Sequence, residues 1–169
     1  ARGEHRASAG ISSHGHIMDK KDRTILELLQ NDARLSVSDI AERINLSTTA
    51  CWKRVQRLHE AGFIRQQVCL LDSAKLGLGV TVFVSIKTSH HDLRWLSRFA
   101  LGVRELPEVM EFYRMSGETD YLLKVVVPDI QGFDRVYKKL IQIADLFDVS
   151  SSFAMEEIKY TTALPLDYI

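Results

Sequence analysis

From Asp19 onward the apolar positions fall into helical spacing. Ile25, Leu28 and Leu29 stand at i, i+3 and i+4, with Asp22, Arg23 and Glu27 on other faces, which predicts an amphipathic helix ending near Asn31. Ser36, with Asp39 three residues on, offers an N-cap for a second stripe of Ile40, Ala41 and Ile44. This shorter helix is expected to end at Asn45, a residue that tolerates the left-handed backbone of a sharp turn. Ser47 caps a third helix in which Cys51, Val55 and Leu58 face inward, and Gly62 ends it. Three short helices with a tight turn between the second and third predict a winged-type helix-turn-helix unit, whose last helix enters a DNA major groove.

The remainder changes period. Phe63 to Leu71 reads as a linking strand, and a turn follows up to Gly77-Leu78-Gly79. Val80, Val82, Val84 and Ile86 then alternate with Thr81, Phe83, Ser85 and Lys87, the period of two that marks a strand. His90 to Leu106 predicts a helix closed by Pro107, Val109 to Met115 a second strand, and Tyr121 to Val127 a third, with Ser116 to Asp120 as the hairpin loop. Phe133, Val136, Tyr137, Leu140 and Ile141 stripe another helix, and Val149 to Thr162 is predicted as a last strand with Phe153, Met155 and Ile158 apolar. The order βαββαβ predicts an α+β, ferredoxin-like domain: an antiparallel sheet with both helices on one face. Phe83, Phe112 and Phe153 are expected on the uncovered face, where a second copy would hide them in a homodimer.

Composition narrows the function. Among 169 residues the formal net charge is zero, which argues against general coating of nucleic acid but leaves room for a local basic patch. Between Ser47 and His59 the only ionised side chains are Lys53, Arg54 and Arg57. The helical period turns Thr48, Thr49, Trp52, Lys53 and Gln56 away from the apolar stripe. With Ser47, Arg54 and Arg57 they form a candidate surface for base edges and phosphates. Cys51, on the inward stripe, reads as a small hydrophobe and not a redox sensor. Two cysteines, Cys51 and Cys69, without metal spacing, and no apolar run long enough for a bilayer, predict a cytoplasmic protein with no membrane segment. Residues 1–17, rich in Gly, Ser, His and Arg, read as a disordered leader or an expression tag; His5, His14 and His16 fit scattered tag histidines, and Met18 reads as the native start.

No phosphate loop, nucleophile elbow or zinc set is present, so neither a catalytic residue nor a metal or other cofactor is predicted. His90-His91-Asp92 suits a helix start better than a metal, and Glu156-Glu157, placed on a strand, would point to opposite faces. The leading reading is a DNA-binding regulator. An amino-acid-binding ferredoxin-like regulatory or enzymatic domain of metabolism, without operator recognition, is the alternative, and an RNA-binding sheet lacks the aromatic run it would need.

Several segments in order resemble the Lrp/AsnC (feast/famine) family of bacterial transcription regulators: Asp19 to Leu29, Ile44-Asn45-Leu46-Ser47, Cys51-Trp52-Lys53-Arg54-Val55 with Leu58 and Gly62, Gly117-Glu118-Thr119-Asp120-Tyr121-Leu122-Leu123, and Met155-Glu156-Glu157-Ile158-Lys159. The resemblance spans Met18 to the end. It implies a DNA-binding domain over 18–62, a linker strand and turn over 63–79, and over 80–169 an ACT-like module known as regulation of amino-acid metabolism (RAM). It also implies a double-stranded DNA operator, an amino acid as small-molecule effector, and dimers that assemble into octamers. Gly117, Glu118, Thr119 and Asp120 match the family's effector loop, and Ser150, Ser151 and Ser152 are further candidates for effector contact. Many relatives have proline where this chain has Ala50, a departure expected to soften the entry of the third helix.

Overall fold

Asp19 opens the first helix, α1 (Lys20–Asn31), by accepting the Asp22 amide at 2.9 Å, while the Asp22 carboxylate reaches back to the Asp19 amide at 3.4 Å. The reciprocal pair is a capping box, which satisfies two donors that a bare helix end leaves open. Ser36 and Asp39 repeat it at α2 (Val37–Arg43), and Ser47 caps α3 (Thr48–Glu60). Between α2 and α3 Asn45 adopts φ +51°, and after α3 Gly62 adopts φ +78°, the left-handed conformations those turns require. Ile25, Ile40, Ala41, Ile44, Cys51, Val55 and Leu58 meet in one buried cluster.

The structure, a computed structural model, describes residues 18–89 and 92–169; residues 1–17, expected to be a leader or tag, and the His90-His91 pair lie outside the described residues. Two compact units result, one reaching to Cys69 and including Tyr160–Ile169, the other Leu70–Lys159. The chain's last ten residues therefore group in space with the helical unit. The reason lies on α1. The Gln30 amide donates to the Leu164 carbonyl (3.0 Å) and its oxygen accepts the Leu164 amide (2.8 Å), and Arg23, two turns earlier, donates to the Ile169 carbonyl (3.1 Å).

In the second unit β1 (Val80–Lys87), α4 (Leu93–Arg104), β2 (Val109–Arg114), β3 (Tyr121–Val127), α5 (Ile130–Ile143) and β4 (Asp148–Phe153) give the βαββαβ order. The sheet runs β2-β3-β1-β4, and every pairing is antiparallel. Val82, Val84 and Ile86 of β1 and Tyr121, Leu123, Val125 and Val127 of β3 are buried with Trp95, Phe99 and Val103 of α4 and Phe133, Val136 and Leu140 of α5. Both helices thus cover one face.

Three expectations need correction. Phe63 to Leu71 is not a strand, and the last strand stops at Phe153, short of Thr162. A strand needs a neighbour, and among the described residues neither segment has one; Met155 and Ile158 are 96% and 89% exposed, and Glu156 and Glu157 are exposed on irregular chain. Of the three phenylalanines, only Phe83 lies on the open face. Phe112 pairs with Leu123 and meets Phe99 edge-on at 5.6 Å, and Phe153 pairs with Val82 and meets Phe133 at 5.4 Å, all on the helix side. A bulge between Val109 and Glu111 sets the phase of β2.

Candidate nucleic-acid interface and effector hollow

On α3 the apolar stripe is buried and the other side open: Thr48, Thr49 and Lys53 are exposed, Gln56 is half-buried, and the Trp52 indole is 51% exposed. Ser47, also exposed, accepts the Ala50 amide at 3.2 Å. A proline at position 50 has no such N–H, so the alanine supplies a capping bond instead of merely loosening the helix entry. Burial pushes the Cys51 thiol pKa up, against the opposing pull of Arg54.

The basic residues are not equivalent. Arg54 turns toward α1, donating to Asp22 at 2.8 Å and Asp19 at 2.7 Å, and these bonds, Asp22 first, raise its pKa. Arg57 holds Asp22 more loosely at 3.5 Å and is half exposed. Lys53 alone of the three has no ion pair among the described residues. Asp22, assigned by periodicity to an outer face, is fully buried. The signal that could have revealed it is the Asp19–Asp22 spacing, which makes it the N3 member of a capping box.

In the second unit the loop Ser116 to Asp120 closes the hairpin, with Gly117 at φ +109°. Glu118 is exposed, Thr119 half-buried, and Asp120 tied down: its amide donates to the Ile86 carbonyl (3.0 Å) and its carboxylate accepts the Thr88 amide (2.8 Å). Ser150, Ser151 and Ser152 sit on β4, separated from β3 by the whole of β1. They pair with Ser85, Val84 and Phe83, which places Ser150 and Ser152 on the open face and Ser151 on the helix side. Within one chain the loop and the serines do not converge.

A small hollow does adjoin the loop, of about 80 Å³, lined by Asp92, Leu93, Leu96, Arg114, Met115, Asp120 and Tyr121. Asp92 caps α4 through the Trp95 amide at 2.8 Å. Burial raises the Tyr121 hydroxyl pKa, and the charge of Arg114 opposes that shift. Among the described residues no cluster of His, Cys, Asp and Glu could hold a metal, and no helix is long and apolar enough to cross a membrane.

Fold and site together define a helix-turn-helix transcription regulator with an appended α+β domain. Residues 18–65 match the family model described as winged helix-turn-helix DNA-binding, and residues 81–164 that of the Lrp/AsnC ligand binding domain. The chain belongs to the Lrp/AsnC family. It is 52% identical over 152 residues to the DNA-binding transcriptional activator DecR of Escherichia coli strain K12, covering 89% of this chain and 100% of that one. The crystal structure of an AsnC family regulator from Agrobacterium tumefaciens superposes with a TM-score of 0.87 at 57% identity, covering 90% of this chain and 99% of that one. A transcriptional regulator from Neisseria meningitidis, solved as a complex with L-Met, superposes with a TM-score of 0.85 at 36% identity, with coverage of 90% and 99%.

Proposed function

We propose that this regulator reads a double-stranded operator with the outward face of α3 and answers to an amino acid held at the hairpin loop of its second unit. The exposed polar face carries the proposal: an indole half open to solvent beside Thr48, Thr49 and Lys53, on a helix whose other side is fully packed. Ser47, Thr48, Thr49, Trp52, Lys53 and Gln56 face the groove, Arg57 reaches a phosphate, and Arg54 fixes the helix angle through Asp19 and Asp22. Gly117, Glu118, Thr119 and Asp120 contact the effector. Ser150, Ser151 and Ser152 do so from a neighbouring copy, since within one chain they are remote. The functional division is 18–62 for DNA, 63–79 as link, and 80–169 for ligand and assembly.

The protein acts by binding and not by catalysis, in the cytoplasm, as a homodimer that builds to an octamer. The ligand-binding domain match and the L-Met complex of the Neisseria relative support an amino acid as the effector. The test pairs selection of duplexes from a random library with thermal shifts against the twenty amino acids, because a specific ligand raises stability by mass action. Trp52→Ala is expected to lose preference for the selected duplex while remaining folded. If that variant unfolds with its preference intact, Trp52 packs a core; a flat amino-acid panel removes the effector reading.

A further inference from the structure

The last residues of the chain reach back to α1 in a specific way. Leu164 precedes Pro165, and a residue before proline is pressed into the extended conformation. An extended residue turns its N–H and C=O to the same side, as a strand does toward a hydrogen-bonded neighbour. Gln30 answers both groups: its Nε2 donates to the Leu164 carbonyl at 3.0 Å and its Oε1 accepts the Leu164 amide at 2.8 Å. Seven residues earlier on the same face of α1, a distance of about 10 Å along the helix, Arg23 donates to the Ile169 carbonyl at 3.1 Å. Ala163 and Leu166 are half-buried, while the residues beside them stay exposed.

Arg23 also follows Asp22, whose buried carboxylate holds Arg54 at 2.8 Å and Arg57 at 3.5 Å. α1 is therefore gripped on two sides, by α3 and by the tail. Its ends are unlike: the first turn has the Asp19–Asp22 capping box, whereas the last carries no basic side chain to offset the helix dipole. A helix of 12 residues is marginal without tertiary contacts, and Gln30 meets the tail in that last turn. We infer that residues 160–169 are a clamp on α1 that fixes the angle at which α3 meets DNA, with Gln30 and Arg23 as positioning residues. The inference rests on α3 as the reading helix proposed above. With the clamp open, α1 keeps its ion pairs to α3 but loses its second support, so α3 samples a spread of angles, and selecting one of them on binding costs affinity.

Binding of the full chain to a duplex selected from a random library tests this. Gln30→Ala is expected to weaken that duplex about three- to tenfold per folded molecule, the range of one net hydrogen bond. The slope of log K against log salt should stay unchanged, because a neutral amide releases no counterion. A chain ending at Ala163 should lose about as much, and the two changes together no more than the shortening alone, since both open one clamp. Wild-type affinity in Gln30→Ala, or losses that multiply in the combined variant, overturns the clamp. Should the shortened chain fail to fold, Gln30→Ala decides alone. Trp52→Ala separates this inference from the reading beneath it: if that variant keeps the wild-type preference for the selected duplex, the reading of α3 fails. Lost preference in Trp52→Ala beside wild-type affinity in Gln30→Ala removes only the clamp.

Discussion

Asp22 is a carboxylate without access to water, and it holds the recognition helix to α1 through two arginines. Removing one partner of a buried pair leaves an uncompensated charge. Arg54→Ala is therefore expected to lower the unfolding free energy by roughly 2–3 kcal/mol, below the usual range for a buried pair because Arg57 keeps its contact. Lys53→Ala should leave stability unchanged and flatten the dependence of log K on log salt by about one unit, because it withdraws one cation from the groove face and with it about one released counterion. Chemical denaturation and salt-titrated DNA binding separate the two; equal salt slopes for both variants would put the arginine in the interface. Acid should act at the same place. The amide of Asp22 and then the Arg54 guanidinium hold the Asp19 carboxyl below its ordinary 3.8. A folded-state pKa so depressed contributes stability that is complete above the ordinary value and is lost as pH falls through the lowered one. Thermal melts of Asp19→Asn should accordingly show a shallower loss than wild type on acidification below about pH 4.

Among the elements, α4 and α5 meet where a β-carbon would not fit. A methyl placed on Gly102 would lie against Ile143, 3.0 Å from its Cγ1 and nearer still to its Cγ2. Gly102→Val should cost about 1–3 kcal/mol of overpacking, read as a lower denaturant midpoint; an unchanged midpoint would mean that the helices slide apart freely. Nothing in the spacing around Gly102 announces this, because a glycine in a helix looks the same whether it is tolerated or required. The periods themselves were legible. Alternation over Val80–Lys87 and 3.6-residue spacing on α1, α3 and α5 gave the elements and most of their buried positions, because each pattern records which side meets the core, but missed the burial of Asp22 on α1 and the exposure of Ile141 on α5. The face of Phe112 was not, since a bulge resets the phase and leaves no mark in composition. Nor was the end of β4, since residues after Phe153 keep strand-like character without a strand beside them. On the DNA side the open face of α3 could be read from its period, whereas the inward turn of Arg54 depends on residues some thirty positions away. At the hollow beside the hairpin loop, Arg114 and Asp92 come together only through the pairing of β2 with β3 and the cap of α4.

For the molecule as a whole, the sheet face away from the helices remains to be covered. Phe83 (39% exposed) and Tyr113 (50% exposed) lie there with half-buried Leu122 and Val126, beside a Lys124–Glu111 pair at 3.4 Å. An apolar face of this kind calls for a partner, and closed two-fold symmetry supplies one most simply. Phe83→Glu should convert a dimer or larger assembly into monomer in light scattering at micromolar concentration without loss of helical signal. Persistence of the assembly would place its contacts elsewhere. The return of residues 160–169 to α1 also makes the DNA-binding unit discontinuous along the chain, with the 90 residues of Leu70–Lys159 between its parts. During synthesis at about 5–20 residues per second, its three helices leave the ribosome roughly 5–20 s before the segment that meets Gln30 and Arg23 exists. The nascent regulator thus emerges with α3 made but this flank of α1 still bare, and the flank closes only once residues 160–169 have been added.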